Sequence, residues 1–499
     1  MKTTIIEYLE ETALRFPDKI AFSDLKEAFT FSSLLETSKR IGTCISYKVA
    51  PRNPIVVYMD KKAYNIAAFL GIAYAGCFYV PIDNQMPSER VNLIIETLNP
   101  SLIIYDKITE KKLNEFSIPK INYNEVSASS INTEALTHIR QSSKTTDLLY
   151  VLFTSGSTGI PKGVTISHLA VIDFMEWVCK KYSINENNIL CNQAPFYFDA
   201  SVPDIYIPLK TGATVYIPPK IYYTFPNKIL QFIVDKEINT LVWVPSALCN
   251  VVNCKAFNLI IPSTIKLVIF CGEVMPCKHL NIWRKYVPDA LYVNMYGPTE
   301  ATYACMYYNV EREFDDDEKL PLGKACENSE ILLITEDDIL AKKGEIGEIC
   351  ILGQCLSSGY YNDPNKTAKT FVQNPANDKW IELMYRTGDL AYRDGNTLIF
   401  AGRKDFQIKR LGHRIELGEI EATILSINSI ENACCLFNSS TNEIIVVYTG
   451  AIDSKDLSAL LEKKLPHYML PSKYEYITTM PMNLNGKIDR RKLQETYIR

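Results

Sequence analysis

The segment with the densest set of potentially functional residues runs from position 154 to position 163 and reads TSGSTGIPKG. Three glycines and four hydroxyl side chains fall within these ten positions, and Lys162 adds a positive charge. Glycine lets backbone N–H groups turn toward an anion, and hydroxyls can donate further hydrogen bonds to phosphate oxygens. The segment therefore predicts a phosphate-binding loop. It is not a Walker A loop, because Pro161 precedes the lysine. Taken alone, it could also be a polar surface turn.

Four further motifs follow, reading YGPTEAT at 296–302, YRTGDL at 385–390, GRKDFQIKRLGHRIELGEIE at 402–421 and NGKIDR at 485–490. Together with the first loop, their content and order resemble the adenylate-forming superfamily, which includes nonribosomal peptide synthetase adenylation domains, acyl-CoA synthetases and luciferases. The five motifs extend over almost the whole chain. The resemblance implies an enzyme that uses ATP and Mg²⁺ to activate a carboxylic acid as an acyl-adenylate, releases pyrophosphate and passes the acyl group to a thiol.

The resemblance also assigns nucleotide-binding roles that suit the residue types. It implies that Glu300 coordinates Mg²⁺, a hard cation that carboxylates bind. It places Tyr296 against adenine, Asp389 on the ribose hydroxyls and Arg403 near the ribose and phosphates. The implied ATP site comprises Thr154, Ser155, Gly156, Ser157, Thr158, Gly159, Lys162, Gly272, Glu273, Tyr296, Gly297, Thr299, Asp389, Arg403 and Lys487.

Near the C-terminus, Lys487 stands beside the basic residues 490–492 and could by itself belong to a solvated basic tail. The NGK context instead resembles the lysine that bridges the acyl carboxylate and the phosphate. Thiol attack requires this lysine to leave, and the resemblance implies a small domain that rotates about a hinge at Asp405. The implied catalytic residues are Lys487, Glu300, Thr154 and Lys162.

The substrate is indicated by residues 198–202, which read FDASV and resemble the amino-acid-activating branch of the superfamily. There Asp199 would pair with the substrate ammonium, since a carboxylate in an apolar pocket is costly unless it meets a cation. A helix N-cap or turn role is the alternative for Asp199. The implied pocket comprises Asp199, Ala200, Pro203, Val242, Ile269, Cys271, Met295, Tyr303 and Ala304, closed by Lys487.

Met295 and Tyr303 are bulky, which predicts a substrate with a small side chain. Residues 270–276 (FCGEVMP) and 204–206 (DIY) are similar to D-alanine–D-alanyl carrier protein ligases, so the expected substrate is alanine, with the D configuration as a further expectation. Cys271 would either help to select the configuration or serve as a packed core thiol. Two features, Ala200–Ser201 and the segment that begins at Gly402, read more like a general peptide-synthetase domain.

Two other functions stay open at this point. One is an acyl-CoA synthetase acting on an acid without an amino group, and the other is a non-catalytic adenylate-fold partner protein. Asp199 argues against the first, and the presence of all the implied catalytic residues argues against the second. The chain contains no LGGxS-type serine for phosphopantetheine attachment, so the expected thiol acceptor is a separate carrier protein that bears the phosphopantetheine arm.

The elements that must position these motifs are short apolar strands alternating with helical stretches. Residues 54–105 read as strand, helix, strand, helix and strand, which predicts a parallel sheet. Further strands are expected at 148–153, 240–244, 265–270 and 291–295, and chemical motifs follow three of them directly, as ligands do in open α/β sheets. The predicted fold is α/β, with a large N-terminal domain of wound α/β subdomains (residues 1–402) and a small mobile α+β domain (residues 403–499).

Composition narrows the class of protein. The 499 residues include 57 acidic and 53 basic side chains, which lacks the positive excess of a nucleic-acid binder. Residues 66–82 are uncharged, but Gly71, Gly76 and Pro81 interrupt them, so we expect a buried helix and strand rather than a membrane segment. The 14 cysteines show no CxxC pair, and the N-terminus has no signal-like apolar run. These features predict a cytoplasmic protein with reduced thiols.

Overall fold

The computed structural model describes residues 2–113, 116–156, 160–404, 406–482 and 488–498. Five residues with expected roles lie outside the described residues, namely Ser157, Thr158, Gly159, Asp405 and Lys487. The chain forms two compact units. The first comprises residues 1–84, 99–152 and 164–404, and the second comprises residues 85–98, 153–163 and 405–499. The expected domain boundary at residues 402–403 stays a prediction.

The helices of the described residues follow the apolar periodicity of their sequences. They are Ile6–Arg15 (α1), Phe31–Ser46 (α2), Tyr64–Tyr74 (α3), Ser88–Leu98 (α4), Tyr123–Ser127 (α5), Thr133–Ser142 (α6), His168–Lys181 (α7), Val202–Thr211 (α8), Lys220–Thr224 (α9), Pro226–Asp235 (α10), Pro245–Asn253 (α11), Cys277–Tyr286 (α12), Pro364–Thr370 (α13), Leu417–Leu425 (α14), Ser454–Lys464 (α15) and Arg490–Tyr497 (α16).

The strands are short, and most are rich in β-branched or aromatic residues. In the first half of the chain they are Ile20–Ser23 (β1), Ala28–Thr30 (β2), Pro54–Tyr58 (β3), Phe78–Pro81 (β4), Leu102–Tyr105 (β5), Lys120–Asn122 (β6), Leu148–Thr154 (β7), Lys162–Ser167 (β8), Ile189–Asn192 (β9), Thr214–Tyr216 (β10), Thr240–Trp243 (β11), Leu267–Cys271 (β12) and Leu291–Tyr296 (β13). In the second half they are Met306–Asn309 (β14), Lys324–Ala325 (β15), Ser329–Ile334 (β16), Gly347–Gly353 (β17), Phe371–Gln373 (β18), Leu383–Asp394 (β19), Thr397–Arg403 (β20), Gln407–Arg410 (β21), His413–Glu416 (β22), Ile430–Asn438 (β23), Glu443–Gly450 (β24) and Lys473–Tyr476 (β25).

Two sheets with parallel centres organise the first unit, so the α/β prediction is confirmed. One has the order β6-β5-β3-β4-β7-β8, and the other has the order β15-β14-β13-β12-β11-β9-β10-β1-β2. In the second sheet, neighbouring strands are parallel from β13 through β12, β11, β9 and β10 to β1, whereas the edge pairs β13–β14, β14–β15 and β1–β2 are antiparallel. The uncharged stretch at 66–82 forms most of α3 and all of β4, as expected. Within the described residues, no helix is long and apolar enough to cross a membrane.

Both faces of the nine-stranded sheet are covered, which explains the continuous apolar runs of its central strands. Alternate residues point to opposite faces. Leu241, Trp243 and Phe270 belong to one buried cluster, with side chains of α10, α11 and α12. Val242 and Ile269 belong to another, with side chains of α7 and α8. The expected substrate pocket therefore lies on the α8 face of the sheet.

The remaining sheets are antiparallel or mixed. In the first unit, β16, β17, β19 and β18 pair in that order and β20 pairs with β19. This sheet carries the YRTGDL motif on β19. In the second unit, β21 pairs with β22, while β23, β24 and β25 form a three-stranded sheet with α14 and α16 packed on β23.

Candidate active site

The expected substrate residues gather at the carboxyl ends of three parallel strands. Val242 on β11 pairs with Ile269 on β12, and Cys271 on β12 pairs with Met295 on β13. Neighbours in register point their side chains to the same face of a sheet. These four side chains are buried, as is that of Pro203 in the first turn of α8. The structure thus assembles an apolar surface from residues that are about 90 positions apart in the chain.

Asp199 lies on a short 3₁₀ turn, Asp199–Ser201, between β9 and α8. Its Oδ2 accepts a hydrogen bond from the hydroxyl of Thr299 at 2.6 Å. Helix α8 has Ser201 as its N-cap, so Asp199 does not cap this helix and instead occupies the turn before it, which is the other alternative given for this residue. Because Thr299 belongs to the YGPTEAT motif, this contact joins the expected amino-acid site to the expected nucleotide site.

The backbone of the YGPTEAT loop makes one close approach that requires glycine and has two residues in the left-handed region. A Cβ atom on Gly297 would lie 2.5 Å from the carbonyl oxygen of Tyr303 and 2.6 Å from Cα of Ala304, so only glycine fits. Thr302 and Tyr303 both adopt left-handed φ angles, of 50° and 75°. Such strain persists only where surrounding contacts enforce it. The Thr302 hydroxyl donates to the carbonyl of Cys355 at 2.7 Å, and the Cys271 thiol donates to the carbonyl of Tyr303 at 3.7 Å.

Three of the expected nucleotide residues meet at Asp389. Its Oδ2 accepts a hydrogen bond from the Tyr296 hydroxyl at 2.5 Å, and its Oδ1 accepts one from the Arg403 guanidinium. Asp389 and Arg403 face each other in the β19–β20 ladder. Thr387 joins them, because its hydroxyl accepts from the Asp389 N–H at 2.9 Å and its carbonyl accepts from Arg403 at 3.1 Å. Burial, together with the adjacent Asp389 carboxylate, raises the pKa of Tyr296 well above its usual value, so the hydroxyl stays a donor.

Glu300 is fully buried and its carboxylate is oriented by Tyr360, whose hydroxyl donates to Oε1 at 2.8 Å. Tyr360 lies outside the sequence motifs from which the site was predicted. A Gly-Tyr-Tyr run at 359–361 marks the position only weakly. The described residues contain no group of three or more histidine, cysteine or acidic side chains that could hold a metal. A single carboxylate nevertheless suits Mg²⁺, which takes most of its other ligands from water and substrate phosphates.

The phosphate-binding loop is described up to Gly156 and again from Ile160. The Thr154 hydroxyl is buried and has no hydrogen-bond partner among the described residues. The Ser155 hydroxyl donates to the carbonyl of Arg414 at 2.9 Å, and the Gly156 N–H donates to Oε2 of Glu419 at 3.2 Å. Two of the groups expected to donate hydrogen bonds to phosphate therefore donate to residues in or next to α14 in this structure.

Other expected residues occupy supporting positions. Lys162 is buried at the start of β8. Gly272 and Glu273 follow the end of β12, and Oε2 of Glu273 accepts from the N–H of Ser246 at 2.9 Å. Tyr303 and Ala304 are buried behind the YGPTEAT loop, whereas Ala200 is partly exposed on the turn that carries Asp199.

Comparison with known proteins places this geometry in a family. Residues 9–361 match the family model described as AMP-binding enzyme. The D-alanine–D-alanyl carrier protein ligase of Bacillus anthracis is 33% identical over 503 residues, which covers 98% of both chains. The ligase of the same name from Bacillus cytotoxicus is 32% identical over 510 residues, again with 98% of both chains covered.

Solved structures agree with this placement. The crystal structure of IdnL1 is 25% identical with a TM-score of 0.83, covering 96% of this chain and 99% of that chain. A four-domain nonribosomal peptide synthetase bound to AMP and glycine is 27% identical with a TM-score of 0.71, covering 98% of this chain and 36% of that chain. The o-succinylbenzoate CoA synthetase of Bacillus subtilis shares the fold, with a TM-score of 0.85 at 19% identity over 99% of this chain and 98% of that chain. The chain therefore belongs to the family of AMP-binding enzymes and is an AMP-forming ligase.

Proposed function

We propose that this enzyme activates a small amino acid, D-alanine, as aminoacyl-AMP and then transfers it to the phosphopantetheine thiol of a separate carrier protein. The observation that carries the proposal is the carboxylate of Asp199, held by Thr299 at 2.6 Å, on the turn next to Ala200, which packs against the buried apolar cluster that contains the expected pocket residues. A fixed carboxylate in such surroundings suits a substrate ammonium. The full-length likeness to ligases named for D-alanine and its carrier protein supports the choice of substrate and acceptor.

In the first half-reaction, a carboxylate oxygen of the amino acid attacks the α-phosphorus of ATP, and the bond to the β-phosphate oxygen breaks to release pyrophosphate. Asp199 orients the substrate through its ammonium. Negative charge gathers between two anions, so fixed cations and dipoles supply most of the stabilisation. In our assignment, Arg403, Lys162, the Thr154 hydroxyl and Lys487 meet this charge. Glu300 would hold Mg²⁺, which when bound neutralises phosphate charge.

In the second half-reaction, the carrier thiol attacks the acyl carbonyl and AMP leaves with its phosphate oxygen. The thiol needs the position that Lys487 occupies during adenylation. We assign the exchange to a small domain of residues 403–499 that turns about Asp405. On this assignment, Lys487→Ala reduces adenylation strongly but leaves transfer from preformed aminoacyl-AMP largely intact, and an equal loss of both steps would contradict it.

The selectivity for a small side chain follows from the pocket walls. Met295 and Tyr303 are 2% and 3% exposed, and Tyr303 packs edge-on against Phe174 with ring centroids 5.4 Å apart. A packed wall of this kind cannot move outward without cost. We assign the discrimination between D- and L-alanine to the wall that Cys271 forms beside Tyr303.

ATP–pyrophosphate exchange tests the proposal. The screen covers the common L-amino acids, D-alanine, glycine and several plain carboxylic acids. We expect strong exchange with D-alanine, and we expect Asp199→Ala to abolish the preference for amino acids. Exchange with plain carboxylic acids only would favour the acyl-CoA synthetase, and no exchange with any acid would favour a non-catalytic partner protein.

The carrier-protein step has its own test. Radiolabelled D-alanine, ATP and a phosphopantetheine-loaded carrier protein should give a labelled thioester, whereas the carrier without its arm should not. We also assign the enzyme to the cytoplasm, since its 14 cysteines, all among the described residues, form no disulfide. Fractionation of cells that express the protein at its natural level checks this location.

A further inference from the structure

A buried polar cluster adjoins the amino-acid pocket on the α8 face of the nine-stranded sheet. Nδ2 of Asn192 donates to Oδ2 of Asp204 at 2.8 Å, and the two residues are 0% and 1% exposed. Nζ of Lys61 donates to the carbonyl of Gln193 at 3.3 Å and lies 5.5 Å from the ring centroid of Phe196. Of these residues, only Asp204 belongs to a stretch singled out in the sequence, the DIY stretch at 204–206, and that resemblance gave it no role in the site.

The register of the sheet ties this cluster to the substrate pocket. Asn192, the last residue of β9, pairs with Val242 on β11, which in turn pairs with Ile269 on β12. Residues in register across a sheet present their side chains to one face. The Asn192 amide is therefore the next side chain along the sheet from two pocket-wall residues. Asp204 reaches it from the first turn of α8, which covers that face.

The Asn192–Asp204 hydrogen bond closes the segment that presents Asp199. Asn192 precedes this segment and Asp204 follows it, 12 positions later. Lys61 holds the start of the segment at the Gln193 carbonyl, and the Ser201 hydroxyl holds its end by donating to the carbonyl of Phe198 at 2.6 Å. Asp199 thus stands on a short turn that is fixed on both sides.

The buried polar groups of this cluster lower the stability of the folded protein, so a contribution to stability does not explain their presence. Oδ1 of Asn192, Oε1 of Gln193 and Oδ1 of Asp204 are buried without hydrogen-bond partners among the described residues. A buried acceptor without a partner costs free energy that an apolar side chain would not. Burial raises the pKa of Asp204 to about 7 and lowers that of Lys61 to about 8, and each charge partly offsets the other's burial. A cluster that lowers stability in this way fits a role in positioning a neighbouring functional residue.

We propose that Asp204 is a positioning residue for amino-acid binding. With Asn192 and Lys61, it fixes the position and orientation of the Asp199 carboxylate relative to the pocket wall. Asp204 acts through Asp199 and does not touch the substrate. The proposal rests on the proposed function, in which Asp199 binds the substrate ammonium.

The test uses Asp204→Ala in the full-length enzyme, with KM for D-alanine, KM for ATP and kcat measured by pyrophosphate exchange. We expect KM for D-alanine to rise about tenfold while KM for ATP changes less than about twofold, as for neighbours that share one network. Asp204→Asn keeps the shape and an acceptor oxygen for Asn192, so its rise should be smaller. A merely structural role would lower the melting temperature and the active fraction without this split between the two KM values.

Asp173→Ala is the matched control. Asp173 is also a buried acid that accepts a hydrogen bond from a side-chain amide, that of Asn328 at 2.9 Å, but it lies on α7. It should cost stability and leave KM for D-alanine unchanged. An equal KM rise in this control would overturn the proposal, because general loosening would then explain both variants. If Asp204→Ala does not fold, Lys61→Met is measured in the same way, and an unchanged KM overturns the proposal.

The double variant Asp199→Ala/Asp204→Ala distinguishes the positioning role of Asp204 from the substrate-binding role of Asp199. Because Asp204 acts through Asp199, the double variant should have the same KM for D-alanine as Asp199→Ala alone. A further rise in the double variant would overturn the positioning role. If Asp199→Ala itself leaves KM unchanged, the proposed function fails and this inference fails with it. If Asp199→Ala raises KM and Asp204→Ala does not, only this inference fails.

Discussion

Asp389 illustrates how single residues combine in this enzyme. Its two carboxylate oxygens accept hydrogen bonds from the Tyr296 hydroxyl and the Arg403 guanidinium, and it is 6% exposed. An ionised carboxylate has about four acceptor positions, so both contacts leave room for further donors such as ribose hydroxyls. The same carboxylate therefore supports the tyrosine ring, the arginine and, in our assignment, the nucleotide.

Asp389→Asn should weaken ATP binding with little effect on the amino acid. The amide keeps the size of the side chain but lacks the charge, and it can accept on only one of its two terminal atoms. Hydrogen bonds to charged groups contribute roughly 1.5–3 kcal/mol, so we expect KM for ATP to rise about tenfold or more. Steady-state exchange kinetics measure this.

Asp363→Asn is the control for that substitution, because Asp363 caps α13 by accepting from the Lys366 N–H at 2.9 Å and asparagine caps equally well. Its KM for ATP should stay at the wild-type value. If Asp389→Asn raised KM for D-alanine instead of KM for ATP, the assignment of Asp389 to the nucleotide would be wrong.

At the scale of elements, the first helix is attached to the core through a histidine. His168 begins α7, is 4% exposed, and accepts on Nδ1 a hydrogen bond from the Ile5 N–H at 3.2 Å. Ile5 is the residue that precedes α1. Only a neutral imidazole can accept this bond, and burial lowers the pKa of His168 to about 4, with a small opposing contribution from Asp147.

The pH dependence of stability should therefore change in His168→Asn. Below the usual pKa of about 6.5, the unfolded chain binds a proton that the folded chain refuses down to about pH 4. The histidine's contribution is complete above pH 6.5 and is lost as the pH falls, by about 3 kcal/mol in total. His168→Asn keeps an acceptor for Ile5 but does not titrate, so its loss of stability between pH 6.5 and 4.5 should be smaller than that of the wild type. Urea unfolding at several pH values measures the difference.

His138→Asn, on the exposed side of α6, serves as the control and should follow the wild-type curve. An identical pH dependence in His168→Asn and the wild type would mean that His168 binds its proton as readily in the folded protein as in the unfolded chain.

A second pair of elements, α4 and α14 in the second unit, is joined by a buried ion pair between Arg90 and Glu419, which are 4% and 1% exposed. Glu419 also accepts from Gly156. Glu419→Ala leaves a buried guanidinium without its carboxylate, so the free energy of unfolding should fall by about 3–5 kcal/mol. Denaturant unfolding monitored by circular dichroism measures the change.

Two comparisons sharpen this prediction. Replacing both partners, as in Arg90→Met/Glu419→Leu, leaves no unpaired buried charge. This double variant should recover most of the stability that Glu419→Ala loses. Glu89→Ala breaks a partly exposed pair between Glu89 on α4 and Lys464 on α15, 3.1 Å apart, and should cost about 1 kcal/mol or less. Equal losses in Glu419→Ala and Glu89→Ala would show that the burial of the pair has no energetic consequence.

At the scale of the whole molecule, none of the 14 cysteines, all of which lie in the described residues, forms a disulfide, and 11 of them are buried. Burial raises the pKa of several of them, to about 12 for Cys191 and about 11 for Cys77. A thiol must ionise to react, so these side chains are protected both sterically and electrostatically. Cys254 is exposed on the surface.

Titration with a thiol reagent should therefore give one fast reaction in the native protein and 14 thiols after unfolding without reductant. Cys254→Ser should remove the fast phase, whereas Cys277→Ser, at a buried position, should leave it unchanged. Fewer than 14 reactive thiols after unfolding would mean that some cysteines are paired.

Much of the fold could be predicted because its signals are local. The strand–helix alternation at 54–105 and the apolar runs of β7, β11, β12 and β13 appear in the structure within about two residues of the expected bounds. An uninterrupted run of apolar residues and a cluster of glycines each involve neighbouring positions only. They can therefore be recognised in the sequence without knowledge of the tertiary structure. The family followed from the same kind of signal, since each motif is contiguous.

The contacts that complete the site depended on tertiary structure. The pairing of Tyr360 with Glu300 and of Asp204 with Asn192 joins residues that no spacing rule relates. The occupation of the Gly156 N–H by Glu419 joins positions 263 residues apart. Which side chains meet across such separations depends on sheet register and on how helices pack over a sheet face. The sequence alone thus determined the chemical parts of this enzyme, whereas long-range packing decided which parts hold one another in place.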